Sequence, residues 1–360
     1  MDKPIYVTRP SLPLLDEYVK YLYNIWESGI LTHNGPLVQK LEKELNKYLN
    51  TKNMVAVVNG TTGIQLAIKA MSLNGEIITT PFTWVATISA IMWENCQPVF
   101  VDVKPDTFNI DPEKIEKAIS KETCAILGVH VFSNPCDIEK ISEIAEKYNL
   151  KVIYDAAHAM CVNYKGRSIM EYGDVSATSF HATKIFQSGE GGGCVTLNDE
   201  FADRIRRIRF FGYDENKDIV DQGINGKMTE IHAALGLSNL KMMDEILFKR
   251  RKKYELYQRL LRKCDFVDFQ IFPKESYNYS YMPILLKDES QLIKTVNRLQ
   301  DQNIFPRRYF FPALNTIESL FPNYNKFSIA ENLSKRIICL PLYDDLSNKE
   351  IERICQIIKK

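Results

Sequence analysis

The run Ser179-Phe180-His181-Ala182-Thr183-Lys184-Ile185-Phe186, followed by Gly189-Glu190-Gly191-Gly192-Gly193, decides how this chain is read. Residues 175–180 are an apolar run that predicts a buried strand, and the glycine cluster beyond it lets backbone come close to a ligand. One lysine, Lys184, stands between the two. A lysine in a strand-to-loop turn is ordinarily a solvated side chain, so what Lys184 does depends on the residues that converge with it.

Working outward, short apolar runs at 54–58, 76–79, 98–102, 124–131, 152–155, 175–180 and 194–197 read as buried strands. Helical patterns fall between several of them, at 61–71, 112–119 and 137–148. The expected fold class is α/β, a large and mostly parallel mixed sheet flanked by helices. Strands of such a sheet point their carboxyl ends at one crevice, where Gly60, Pro81, Asp155 and the loop after Phe180 would meet.

Ahead of the sheet, residues 12–28 and 36–49 have helix-period apolar positions, the second being Leu37, Leu41, Leu45 and Leu49, with Pro36 suited to open it. Residues 1–50 are therefore expected as an N-terminal helical arm and 51–245 as the large ligand-binding domain. After a helix at 201–211, residues 227–262 read as one long amphipathic stretch. It leads into a smaller α+β C-terminal domain, 246–360, with strands at 279–286 and 336–340 and helices at 289–301 and 347–357.

Composition narrows the function. Lys+Arg 46 against Asp+Glu 45 leaves a net charge of +1, so no overall field favours nucleic acid or an anionic membrane. The 8 cysteines form no CxxC pair and do not cluster with the 5 histidines, so no metal site is expected and a reducing compartment fits. The N-terminus begins no long apolar stretch and no run of about 18 apolar residues occurs, so neither signal peptide nor membrane span is expected, and the location expected is cytoplasmic.

Lysine acts as a nucleophile toward carbonyls where its pKa is lowered, and a Schiff base with pyridoxal phosphate is the commonest use of such a residue. That use needs a carboxylate for the pyridine nitrogen, an anion site for the phosphate and a flat group against the ring. Asn59-Gly60-Thr61-Thr62-Gly63 joins a strand to a helix and is either an anion site of free N–H groups or an ordinary helix cap. Asp155 ends a buried strand, where it either meets a cationic ring nitrogen, caps the next segment or joins an internal ion pair. Trp84, in Pro81-Phe82-Thr83-Trp84-Val85-Ala86-Thr87, is either a stacking face or a core side chain.

Together with Asp155-Ala156-Ala157-His158-Ala159 and Asn225-Gly226-Lys227-Met228-Thr229-Glu230, these segments resemble, in order and spacing, the nucleotide-sugar aminotransferases of the DegT/DnrJ/EryC1/StrS family. The likeness runs from Leu31-Thr32-His33 to Leu340-Pro341-Leu342-Tyr343. It implies a fold type I, pyridoxal 5'-phosphate-dependent enzyme, working as a homodimer with active sites shared between subunits. By position Lys184 would carry the cofactor, Asp155 would hold its ring nitrogen, His158 would approach its phenolic oxygen and Trp84 would stack on it. Thr61, Thr62 and Ser179 would bind its phosphate, and Asn225 would reach the phosphate in the neighbouring subunit. His158 stands where many members carry glutamine, and Lys227 where many carry arginine.

The Ser179–Phe186 run with Glu190-Gly191-Gly192, together with His130-Val131-Phe132-Ser133-Asn134-Pro135-Cys136-Asp137, is most similar to the branch that forms dTDP-4-amino-4,6-dideoxy-D-glucose. The resemblance therefore implies a dTDP-linked keto sugar as acceptor and glutamate as donor, in deoxyamino-sugar biosynthesis of the kind that serves lipopolysaccharide O-antigen. Amination of a 3-keto isomer is the neighbouring alternative. A sugar dehydratase on this scaffold would carry histidine where Lys184 stands, and a dinucleotide binder would show GxGxxG after its first strand. A non-catalytic sensor that keeps the cofactor fold stays open. His181 could face the cofactor or pack under the loop, and Arg307, Arg308 and Tyr309 could meet a diphosphate or solvent.

Overall fold

The structure is a computed structural model and describes residues 3–273, 277–322 and 325–360. Seven strands form the central sheet, in the spatial order Asn53–Val57, Gly192–Thr196, Val175–Ser179, Lys151–Asp155, Thr123–Val129, Glu76–Thr79, Gln97–Phe100. Each lies within two residues of the run expected for it. They read as near-continuous apolar runs because both faces are covered, with Val55, Ala56, Val57, Ile126 and Leu127 fully buried.

All neighbours run parallel except Gly192–Thr196, which is antiparallel to both of its own. A buried run carries no signal of direction. The chain turns back after Ser179 through a loop that holds no crossover helix, and its return strand runs antiparallel. The register pairs Val129 with Asp155 and Asp155 with Ala177, so three strands end level at one edge.

Helices Gly60–Ala70, Val85–Trp93, Pro112–Ala118, Ile138–Tyr148 and Asp199–Ile208 accompany the sheet. Val85–Trp93 lacked a sequence signature because VATISAIMW is apolar almost all round and shows no helical period. The N-terminal helices Leu15–Ser28 and Pro36–Leu49 pack on Glu230–Leu240, and Leu37, Leu41 and Leu45 enter the same core as the sheet. Glu230, 1% exposed, accepts hydrogen bonds from the Leu37 and Val38 N–H groups at 2.8 and 2.9 Å. A buried carboxylate thus meets the positive end of the helix that Pro36 opens, where the first N–H groups have no partner of their own.

The long amphipathic stretch expected over 227–262 consists of two helices, Glu230–Leu240 and Met243–Leu261, with a turn at Lys241 and Met242. The first helix buries residues toward the N-terminal pair; the second keeps Met243 and Ile246 in that same core and carries Tyr254, Tyr257 and Leu261 into a different one.

Beyond it, Val267–Asp268, Met282–Leu286 and Ile337–Leu340 form a three-stranded antiparallel sheet. Helices Glu289–Gln300, Ser328–Arg336 and Asn348–Lys359 accompany it, the last opened by a capping box between Ser347 and Glu350. The strand expected from 279 begins at Met282, because Ser280 and Tyr281 are held outside it. Arg250 Nη1 donates to the Ser280 carbonyl at 3.2 Å and Tyr277 OH to that of Tyr281 at 2.9 Å. Tyr281, Phe310, Leu333 and Ile337 join the core under the large sheet, so the C-terminal segment closes directly over the sheet's edge. Among the described residues no helix is long and apolar enough to cross a membrane.

Candidate active site

At the level carboxyl ends of the strands lies a cavity of about 410 Å³. It brings together Lys184, Asp155, His158, Trp84, Thr61 and Ser179, six of the eight residues expected to act together. Thr62 and Asn225 do not line it.

Lys184 owes its place to a loop that is tied to itself. Phe180 N–H donates to Gly191 O at 2.8 Å, Ser188 N–H to Phe180 O at 2.9 Å and Ala182 N–H to Gly189 O at 2.8 Å. Asn239 Nδ2 donates to Gln187 O at 3.0 Å and anchors the loop on the Glu230–Leu240 helix. The glycines beyond are needed for close approach, since a Cβ on Gly192 would sit 2.5 Å from the Asn59 carbonyl carbon and one on Gly60 2.9 Å from Ser179 Cβ. The Lys184 amine donates to Tyr281 OH at 3.3 Å. Burial lowers its pKa to about 8, and the Asp155 charge opposes the drop without cancelling it.

Asp155, 7% exposed, accepts from Thr87 Oγ1 at 2.7 Å and from the Ala157 N–H at 3.0 Å. Thr87 spends its only proton there, so in its 2.8 Å contact with Thr83 the Thr83 hydroxyl is the donor. Among the described residues no cation lies within ion-pairing distance of this carboxylate. A buried carboxylate held by two donors but no positive charge is suited to a cationic ligand.

His158 accepts the Phe132 N–H on Nδ1 at 3.2 Å, so the neutral ring carries its proton on Nε2. Burial, then the Lys184 charge, holds its pKa well below the usual histidine value. Its ring lies nearly parallel to Phe132 and Phe310, centroids 5.9 Å from each, and 4.4 Å from Tyr281. Tyr281 stays a protonated phenol, since burial pushes its pKa far up.

The Gly60–Ala70 helix starts at the cavity wall, where Asn59 Oδ1 takes the Thr62 N–H at 2.8 Å and leaves Gly60 and Thr61 facing the opening. Thr62 is buried beneath them, toward Gly226. Ser179 Oγ accepts the His181 N–H at 3.3 Å. Trp84, 48% exposed, stands at the rim edge-on to Tyr309 rather than in the core. His181 is exposed at the same mouth, its Nδ1 2.8 Å from Thr183 Oγ1 and its Nε2 3.7 Å from Glu190. Asn225 is on an exposed loop outside its own chain's cavity, its Oδ1 bonded to Lys227 Nζ.

Tyr281, Phe310, Thr83 and Glu190 line the cavity without having been expected there. Thr83 and Thr87 sit in the segment that drew attention to Trp84, but only the fold shows their hydroxyls running to Asp155. Tyr281 and Phe310 come from the C-terminal segment, where no motif marks them. Arg307 and Tyr309 also reach the cavity, whereas Arg308 turns away to Glu289.

Comparison with known proteins places the chain in a family. The dTDP-4-amino-4,6-dideoxy-D-glucose transaminase of Shigella dysenteriae is 41% identical over 366 residues, covering the whole of both chains. The protein of the same name from Escherichia coli is 38% identical, covering 99% of this chain and 98% of its own. Among solved structures, DesI in the presence of its TDP-sugar product superposes with a TM-score of 0.94 at 30% identity, over 100% of this chain and 93% of that one. The ntda protein of Bacillus subtilis with bound cofactor PMP gives a TM-score of 0.87 at 25% identity, over 96% and 82%. The model of the DegT/DnrJ/EryC1/StrS aminotransferase family matches residues 14–359, and the chain belongs to that family.

Proposed function

We propose that the protein transfers an amino group from glutamate to a dTDP-linked keto sugar with pyridoxal 5'-phosphate, converting dTDP-4-keto-6-deoxy-D-glucose to dTDP-4-amino-4,6-dideoxy-D-glucose. The observation that carries the reaction is the Lys184 amine, its pKa lowered to about 8, in one cavity with the cation-free carboxylate of Asp155. The full-length likeness to the Shigella dysenteriae transaminase supports the choice of sugar.

The residues present fit the cofactor. Asp155 offers a carboxylate for a protonated ring nitrogen, and the start of the Gly60–Ala70 helix with Thr61 and Ser179 offers donors for a phosphate, whereas Thr62, expected with them, lies buried beneath the opening. His158, with its proton on Nε2, and Trp84 would flank the ring. When bound, the cofactor supplies a carbonyl that carries the amino group between substrates and a conjugated ring that accommodates negative charge.

The protein supplies the rest. With a pKa near 8, a sizeable fraction of Lys184 is neutral at physiological pH, able to attack a carbonyl and to take and return a proton at the carbon that gains or loses the amine. Tyr281 holds that amine while it is free. Thr83 and Thr87 fix the carboxylate of Asp155, and the C-terminal residues Phe310 and Tyr281 cover the cavity against bulk water.

The working unit of this proposal is a homodimer with shared sites. Around Asn225 the side chains of Phe211, Ile219, Val220 and Ile224 are exposed, an apolar setting that suits a loop covered by a second copy. Asn225 would then reach the phosphate of the neighbouring subunit. The setting is cytoplasmic deoxyamino-sugar synthesis of the kind that feeds O-antigen. Incubating the enzyme with glutamate and either the 4-keto or the 3-keto sugar, then locating the new C–N bond by NMR, tests the assignment. Turnover of the 3-keto isomer alone would move the amine to carbon 3 and favour that second reading.

A further inference from the structure

Two adjacent arginines follow the Ile304–Phe305 strand, and the fold uses them differently. Arg308 is tied to the protein itself: Nη2 donates to Glu289 Oε1 at 2.9 Å and to the Ser334 carbonyl at 3.3 Å, and the guanidinium lies 3.4 Å over the Phe311 ring. The backbone of Arg307 is fixed by exchanged hydrogen bonds with Cys339 at 3.1 and 2.8 Å. Its side chain leans over the cavity rim, the guanidinium 5.1 Å from the Tyr309 ring and 5.7 Å from that of Trp84. Among the described residues this guanidinium makes no hydrogen bond or ion pair. Aromatic neighbours orient it without using its N–H donors, which stay free for a forked contact with an oxyanion.

Its position relative to Lys184 selects the anion. The Lys184 amine meets Tyr281 OH at 3.3 Å, the Tyr281 ring meets Tyr309 with centroids 5.9 Å apart, and Tyr309 lies 5.1 Å from the guanidinium. Arg307 thus reaches the reacting amine only through a chain of two aromatic contacts, Tyr309 and Tyr281. The α-carboxylate of an amino acid is bonded to the reacting carbon itself, so a group that reads it belongs at the Lys184 end. In a nucleotide sugar that reacts at carbon 4, the width of the pyranose separates that carbon from the glycosidic phosphate.

We infer that Arg307, propped by Trp84 and Tyr309, anchors the diphosphate of the nucleotide-linked sugar and so sets which sugar carbon reaches Lys184. This rests on the nucleotide-sugar reading above. Arg307 acts on binding and pose, not on proton transfer. The side-chain carboxylate of glutamate is the other anion that extends away from the reacting carbon, and the test separates the two.

The holoenzyme and its Arg307→Ala, Arg307→Lys and Arg308→Ala variants are titrated with dTDP by calorimetry. The glutamate half-reaction is followed separately, by single-turnover change in cofactor absorbance. Arg307→Ala should bind dTDP about 10- to 100-fold more weakly, the cost of one charge-assisted contact. Arg307→Lys should recover part of that loss, since it keeps charge but not the fork. The glutamate half-reaction of both should stay within about twofold of wild type. Arg308→Ala should keep its dTDP affinity and lose thermal stability. Wild-type dTDP affinity in Arg307→Ala overturns the assignment, most directly if that variant needs far more glutamate, which would give the guanidinium to the donor. A wild type that consumes glutamate but does not bind dTDP also sinks the assignment and leaves the aminotransferase reading standing. Arg307-dependent dTDP binding by a wild type inert to glutamate would do the reverse.

Discussion

Replacing Lys184 by methionine should make the cofactor-free protein more stable at neutral pH while abolishing its chemistry. Burial takes the Lys184 amine from an ordinary 10.5 to about 8, so the folded state holds the proton less tightly than the unfolded chain does. Above pH 10.5 both states are neutral and nothing is lost. Between pH 10.5 and 8 the unfolded chain binds a proton that the folded amine refuses, and stability falls as pH falls. Below pH 8 both are protonated and the full cost remains, roughly 3 kcal/mol for such a shift. Part of the side chain still meets cavity water, so about 2 kcal/mol is the working figure. Methionine fills a similar volume without a charge. Urea unfolding of the cofactor-stripped wild type and Lys184→Met at pH 7 and again near pH 10.5 reads the difference. A gain at pH 7 that vanishes at the higher pH is expected. A variant no more stable than wild type at pH 7, or a gain independent of pH, would refute the claim that Lys184 is held at the expense of the fold.

Borohydride reduction of the holoenzyme should leave a pyridoxyl group on the peptide that contains Lys184, and a label on any other lysine would contradict its role. Thr87→Val removes the hydroxyl donated to Asp155 at 2.7 Å and should weaken cofactor retention about tenfold, measured by dialysis and fluorescence. Unchanged retention would mean that the Ala157 N–H alone holds the carboxylate. Glu230→Gln should cost about 2 kcal/mol in urea unfolding, because a buried amide cannot satisfy both the Leu37 and Val38 N–H groups as the carboxylate does. Homodimers of Lys184→Ala and of Asn225→Ala should each be impaired, and mixing them should restore one intact site per heterodimer. No recovery after verified subunit exchange would count against sites shared across the dimer.

The chain's own order of residues determined the sheet, the helices with a polar face and the anchors of the site. Strands buried on both faces announce themselves as apolar runs, and leucines four apart with Pro36 in front announce the 36–49 helix, because these signals are local. Lys184, Asp155, Ser179 and the Gly60-Thr61 turn were legible for the same reason: each sits where a strand ends, and the ends of parallel strands share an edge. Tertiary structure alone decided what has no local period. The Val85–Trp93 helix is apolar almost all round, and the direction of Gly192–Thr196 goes with a return loop that holds no crossover helix. The break at Lys241 and Met242 likewise carries no marker in the amphipathic pattern. The same holds within the site, where Tyr281 comes within 3.3 Å of Lys184 although 97 residues separate them. Arg307 and Arg308 are identical in type and adjacent in sequence. Only Glu289 and Phe311 on one side, and Trp84 and Tyr309 on the other, make the second a brace and leave the first free at the cavity mouth, because a side chain's role is set by which partners the fold brings within reach.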